Sequence, residues 1–386
     1  MLVKLMNQPM DYAWGSIDLI PDYFSVAATG KPMAEIWFGT HDGSPTEVVG
    51  SNKSLQATLQ ELGKSGRLPF LLKILAAGAP LSIQAHPNPA QAVEGFAREN
   101  AAGIPITAAN RNYKDDLAKP ELIVSLTERF DALVGFSSPA LIKEKFAELQ
   151  EVSTSSKLSE VLTRWVKWLD EQGGVRKVFL DALTSADCNE VFISDLIDSA
   201  EQCPALVDLV VHLAEHHGKD RGIATALLMN HLSLNRGEGV FVPAGMPHAY
   251  LSGLGVEVML ASDNVLRGGL TPKHIDVEEL TKVLVFESTD PQLVRTKTLA
   301  VGFEKFELPT PEFDFYRASV SSTNLLADLN LPGDAIVLCT EGSVALSNSQ
   351  EERQVLNNGE AAFMAGDARS FSLTGNGSVF IAVSSK

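Results

Sequence analysis

The chain has 386 residues, about two to three domain lengths, of which 45% are hydrophobic and 20% charged, with a mean hydropathy of +0.06. These proportions describe a globular protein and exclude a disordered or fibrous one. Asp and Glu number 48 against 31 Lys and Arg, a formal net charge of −17, which excludes the basic footprint that nucleic acid or an anionic membrane surface requires.

Met1–Met10 has no apolar core followed by a small-residue cleavage site, so no signal peptide is expected. Up to about residue 135 the sequence is punctuated by Gly and Pro. The short apolar runs Glu35–Gly39, Leu71–Ala76, Leu81–Ala85 and Leu122–Leu126 predict strands, and Pro89–Asn100 predicts one helix. The most apolar stretch, Leu71–Leu81, carries Lys73 and is too short to span a bilayer.

The texture changes at about Ser138. From there to Leu234 the apolar period becomes 3 to 4. Leu158, Val161, Leu162, Trp165 and Leu169 make one stripe; Leu206, Leu209, Val210 and Leu213 make another; Ile223, Ala226, Leu227 and Leu234 extend a third. This predicts a block of about four to six helices, an insertion or a separate subdomain. Strand texture resumes at Gly239. Ala335–Thr340, Ser343–Ser347, Ala361–Met364, Ser370–Thr374 and Val379–Val383 read as short strands of a sandwich or barrel. Gly237-Glu238-Gly239-Val240-Phe241 is echoed by Gly359-Glu360-Ala361-Ala362-Phe363, which suggests two related β-barrel units. The second copy carries no His, so any chemistry belongs to the first. Cys188, Cys203 and Cys339 are scattered and odd in number, which reads as reduced thiols in the cytosol.

Two segments carry chemistry. In Ser82-Ile83-Gln84-Ala85-His86-Pro87, Gln84 and His86 would share one face of a strand about 7 Å apart, and Ile83 and Ala85 the other. Ser82 shares the face of Gln84. In Gly237–His248 the turn Pro243-Ala244-Gly245-Met246-Pro247 delivers His248 to the start of a strand, with Tyr250 on the same face.

Together these segments resemble the two cupin motifs. Gly78 is followed by five residues and then Gln84-Ala85-His86, with Gln in place of the leading His. Gly237 is followed by five residues and then Pro243-x-Gly245-x-x-His248, a full match. Gln84-Ala85-His86-Pro87, Lys119-Pro120-Glu121 and Pro247-His248-Ala249-Tyr250 further resemble the type I mannose-6-phosphate isomerases. So do Tyr12-Ala13-Trp14-Gly15-Ser16, Ala34–Gly39 and the stretch Glu257–Lys273. The resemblance runs from about residue 10 to 285; the C-terminal hundred residues match in architecture only.

The resemblance implies a mainly β fold with an α insertion: tandem cupin-like jelly-roll barrels plus a helical subdomain. Residues 1–137 and 236–290 would form the catalytic cupin domain, 138–235 the helical insertion, and 291–386 a cupin-like domain without a metal site. It implies one zinc ion per chain, held by Gln84, His86, Glu121 and His248. Two imidazoles, a carboxylate and an amide oxygen suit that ion. The implied reaction interconverts mannose 6-phosphate and fructose 6-phosphate through a cis-enediol. Arg267 matches the family's active-site arginine. Lys119, two before Glu121, and Glu257 are alternative proton-transfer groups, left unranked. Ser82, Lys73 and Lys273 are candidates for the phosphate, together with the backbone of Gly268-Gly269. The expected partner is a small sugar phosphate, with no nucleic acid or membrane, in a cytoplasmic monomer or weak oligomer. The rival readings are an iron cupin oxygenase using His86, His248 and Glu121, and a sugar-binding cupin without turnover. A separate pattern, His212-Leu213-Ala214-Glu215-His216, matches the His-x-x-Glu-His of inverted zinc proteases, but no third protease ligand supports it. Its bland reading is a solvated helix end.

Overall fold

The computed structural model describes residues 1–366 and 370–385. Among these the strands form two sheets, one of nine strands and one of ten. The chain is mainly β with helices set between strands, as the residue pattern predicts.

The nine-stranded sheet is organised by the long strand His248–Leu260. It pairs with Phe70–Ala77, Glu121–Ser125, Phe130–Phe136 and Gln84–Ala85. Glu35–Phe38 extends the sheet beyond Phe70–Ala77. Phe70–Ala77 is buried at every residue, so it reads as one apolar run interrupted only by Lys73. The predicted strand Leu81–Ala85 shortens to Gln84–Ala85. Phe130–Phe136, not predicted, is also buried throughout.

The ten-stranded sheet holds the C-terminal strands and also the chain's first one: Leu2–Met6 pairs with Ala361–Met364. Two pairs of predicted short strands merge. Ala335–Asn348 and Phe371–Ser384 are single long strands facing each other, with a bulge between Cys339 and Glu341. A bulge bends a strand without ending it, so the break in the apolar pattern is a kink and not a turn.

The internal echo is structural. Gly237 and Gly359 both have left-handed φ, +81° and +82°. In each turn a Glu carboxylate accepts the backbone N–H of an Asn three residues earlier at 2.8 Å, Glu238 from Asn235 and Glu360 from Asn357. The strands Gly239–Val242 and Ala361–Met364 follow.

Six helices lie between Pro139 and Ala226. Ser138 and Ser155 cap the first two, accepting from Leu141 N and Leu158 N. The stripe Leu158, Val161, Leu162, Trp165 and Leu169 is buried. The helical pattern does not reach Leu234, however. Met229–Leu234 is a strand paired with Phe130–Phe136. Its alternation of buried and exposed positions has period 2, and sheet pairing overrides the helical spacing. Ile83, Ala85 and Leu266 belong to the same apolar core as these helices. The helical block therefore grips one face of the Gln84–Ala85 strand and turns the other face toward the sheet interior.

Trp165 is fully buried, packs against Phe146 and Phe192, and donates its Nε1–H to Asp181 at 2.7 Å. Trp165→Ala should cost about 3–5 kcal/mol in urea unfolding; a loss below about 1 kcal/mol would show that the block does not depend on this core.

Candidate metal centre and active-site cavity

Three segments far apart in sequence supply the buried cluster. The turn before His248 is clipped in place: Gly245 N donates to His86 O at 2.8 Å, and Val285 N donates to Gly245 O at 2.9 Å. His248 then sits opposite Gln84, and Gln84 sits opposite Arg267. Directly opposed residues project from the same face. The row Arg267, Gln84, His248 therefore faces one way, while the strand ends at Ala85 and His86 lies just beyond it. Glu121 enters from the strand on the other side of His248–Leu260, opposite Met259.

The imidazoles are oriented by carbonyls. His86 Nδ1 lies 2.7 Å from Asn264 O, and His248 Nδ1 lies 3.2 Å from Met246 O. A carbonyl only accepts, so both Nδ1 atoms carry a proton and both Nε2 atoms are turned toward Glu121. His86 Nε2 is 3.4 Å from Oε1 and His248 Nε2 is 3.2 Å from Oε2. His86 Nε2 is buried without a hydrogen-bond partner. Burial, with Lys119 nearby, pushes His86 down to about 4. Burial opposes ionisation of Glu121, but Lys119 and the imidazoles outweigh it and hold the carboxyl well below its usual range. Two imidazole nitrogens and a carboxylate oxygen thus converge within 4.8 Å of one another, all from buried residues. Such a group is satisfied by a cation.

Asn264 supports His86 from behind. Its own side chain is clamped, accepting from Lys114 N at 2.7 Å and donating to Leu117 O at 2.9 Å. Lys119 Nζ lies 2.8 Å from Glu121 Oε1.

Lys73 occupies a second buried row, Trp37–Lys73–Glu257. Its ammonium is 3.1 Å from Glu257 and 3.6 Å from Glu35, and lies over the Trp37 ring. Trp37 Nε1 donates to Glu35 at 2.6 Å. Burial works against the Lys73 charge, but Glu257 and Glu35 overcome it, so Lys73 remains an ammonium. Burial, and repulsion from Glu121 and Glu35, raise Glu257 despite Lys73.

Two adjoining cavities open onto these rows. One of about 500 Å³ is lined by Tyr12, Trp14, Ser82, Gln84, Arg267 and Lys273. A smaller one of about 260 Å³ shares Tyr12, Trp14, Arg267 and Lys273 and adds Lys73 and Lys119. Arg267, Lys273 and Ser82 have no ion pair or side-chain hydrogen bond among the described residues. Burial lowers Arg267, and burial with repulsion from Arg267 and Lys114 lowers Lys273. These cations are uncommitted, unlike Lys73. The Gly268-Gly269 backbone is not an open anion nest, because Gly268 N already donates to Ile83 O at 2.8 Å.

Sequence reasoning missed Asp220. Its carboxylate accepts from Gly222 N at 2.6 Å, Leu270 N at 2.8 Å and Thr271 N at 3.2 Å. Leu270 is left-handed at φ +57°, and a Cβ on Gly269 would lie 2.4 Å from Gly222 Cα. Asp220 thereby holds a strained, close-approaching loop whose two ends carry Arg267 and Lys273. Glu35, Asn264 and Lys114 were also missed. Glu35 and Asn264 lie in stretches that carry the family resemblance, but their roles depend on Lys73, His86 and Lys114, which come from other strands and loops.

The family model for the type I phosphomannose isomerase catalytic domain matches residues 2–138. Mannose-6-phosphate isomerases of Salmonella typhimurium and Escherichia coli are each 35% identical over 398 residues, covering 97% of this chain and 97% of theirs. A crystal structure of a zinc-bound mannose 6-phosphate isomerase covers both chains completely at 31% identity and a TM-score of 0.88. A Salmonella typhimurium structure with fructose 6-phosphate and zinc superimposes with the same TM-score, 0.88. With this likeness running from end to end, the chain belongs to the type I mannose-6-phosphate isomerase family.

Proposed function

We propose that this chain is a zinc-dependent aldose–ketose isomerase that interconverts mannose 6-phosphate and fructose 6-phosphate through a cis-enediol. The observation that carries the reading is the pair of buried imidazole nitrogens facing one buried carboxylate, beside cavity cations that form no ion pair among the described residues. His86, His248 and Glu121, with the Gln84 amide, would hold one zinc ion per chain. Two neutral nitrogens, one anion and one amide oxygen suit a borderline dication. When bound, zinc supplies Lewis acidity toward the substrate's carbonyl and hydroxyl oxygens.

The remaining work falls to the chain's own side chains. Lys119 lines the smaller cavity next to Glu121 and is assigned the proton transfer between C1 and C2. Glu257 lies behind Lys73 and does not line either cavity. It is the weaker candidate for that step and is assigned to hold Lys73 in place. Arg267, opposite Gln84, offers a fixed positive charge to oxygen that becomes negative during enolisation. Lys273 and Ser82 line the larger cavity and are assigned to the phosphate. Lys73 was a phosphate candidate, but two carboxylates already neutralise it, so its role is to order the barrel interior. Tyr12 and Trp14 close the cavity walls.

Residues 1–137 and 236–290 are proposed as the catalytic unit, with the first strand lent to the C-terminal sheet. Residues 138–235 would form the insertion and 291–386 a cupin-like unit without metal. The acidic exterior favours a small-molecule partner over nucleic acid or a membrane, in a monomer or weak oligomer. Cytoplasmic placement is supported by three buried, unpaired cysteines. Among the described residues no helix is long and apolar enough to cross a membrane.

A coupled assay of fructose 6-phosphate formation from mannose 6-phosphate, with and without chelator, tests the reading. Activity should be present with zinc and lost with chelator. Inactivity of a zinc-replete sample would sink it. Arg267→Ala should lower kcat by about 10²-fold or more with zinc retained; an unchanged rate would remove Arg267 from the chemistry.

Asp220→Asn should raise KM several-fold more than it lowers kcat, because it loosens the loop carrying Lys273 without touching the metal cluster. A matched fall in stability with unaltered KM would make Asp220 merely structural. Finally, the charge of −17 gives an anionic substrate no favourable long-range field. Raising salt from low to moderate ionic strength should leave kcat/KM level or slightly higher, whereas a steep fall would indicate electrostatic steering.

A further inference from the structure

A second set of metal-capable side chains lies outside the barrel, on the helix Val207–His217. His212, Glu215 and His216 place one ligand atom each within 4.8 Å of the others. The helix accounts for this, since positions three and four apart share a face. The two imidazoles have centroids 5.0 Å apart and stand nearly perpendicular, at 78°. None of the three side chains forms an ion pair among the described residues. Their one hydrogen bond is long, His212 Nε2 to Leu251 O at 3.4 Å.

The helix end is anchored. The adjacent His217 places its Nε2 2.9 Å from Pro80 O, in the segment leading to Ser82. This turn forms a ridge between two cavities. His216 lines the cavity of Ser82 and Arg267, while His212 and Glu215 line a cavity of about 330 Å³ on the other side. The donor set is two imidazoles and one carboxylate on a rigid helical turn, with further positions open to water. Arg129 lines the same cavity but is paired with Asp131, and Glu215 forms no ion pair among the described residues. No further His, Cys, Asp or Glu among the described residues joins the three within 4.8 Å. The pattern that matched a protease therefore describes binding without peptide cleavage.

We propose that His212, Glu215 and His216 form a second, solvent-accessible site for a divalent transition-metal ion, beside the mouth of the substrate cavity and separate from the buried cluster.

The test is equilibrium dialysis of the untagged full chain, preloaded with zinc, against low concentrations of nickel, with both metals read by mass spectrometry. Wild type should take up one equivalent of nickel without losing zinc. His212→Ala and His216→Ala should each weaken that uptake by about tenfold or more, while the zinc content stays unchanged; even indirect partners of metal ligands command effects of that size. Failure of wild type to bind nickel would overturn the proposal. So would uptake that is unchanged in both His variants. If a His variant also loses zinc, Glu215→Gln serves instead, being exposed and isosteric. Nickel uptake by Glu215→Gln equal to that of wild type would then overturn the site.

Discussion

The nine-stranded sheet converges on one interaction: the Glu121 carboxylate facing the Nε2 atoms of His86 and His248. In water, these side chains would turn away from one another. Here they cannot turn, because the Asn264 and Met246 carbonyls hold the Nδ1–H of each ring. Burial also disfavours the imidazolium of His86. The hydrogen-bonding pattern thus presets the three side chains to hold a metal ion.

Holding that geometry requires both faces of a short strand to be committed. Gln84 can face inward because Ile83 and Ala85 are sunk in the core of the helical block. The same block reaches the loop after Arg267 through Asp220. The helical block therefore packs directly on the elements that carry Gln84 and Arg267. On the opposite flank, the row Trp37–Lys73–Glu257 is internally neutralised. Of the cations lining the two cavities, Arg267, Lys273 and Lys114 form no ion pair among the described residues. The strong negative charge of the whole chain is compatible with this, because a fixed local charge in a desolvated cavity acts at short range, where salt and distant carboxylates matter least.

Much was legible in the residue pattern. The texture change at Ser138 marks the helices, and the stripe through Trp165 predicts their buried face. The turn at Pro243–Pro247 predicts a strand that starts at His248, as it does. These signals are local: side-chain period, capping residues and turn residues act over a few positions. Less was legible where sheet pairing decides. Met229–Leu234 carries an apolar residue at helical spacing yet forms a strand, because Phe130–Phe136 offers it a partner. Ala335–Asn348 continues through a bulge that reads as a strand end.

The sequence by itself therefore determined the donor types, their local orientation and the placement of a helical block between strand-rich segments, since each follows from residue chemistry and short-range geometry. The tertiary structure alone decided which charges are spent and which are free. Lys73 and Arg267 look equivalent as letters. One is matched by Glu35 and Glu257 across neighbouring strands, and the other meets no carboxylate. The partners of Lys73 lie 38 and 184 residues away in the chain, so only strand register, a long-range property of the fold, could bring them within hydrogen-bonding reach.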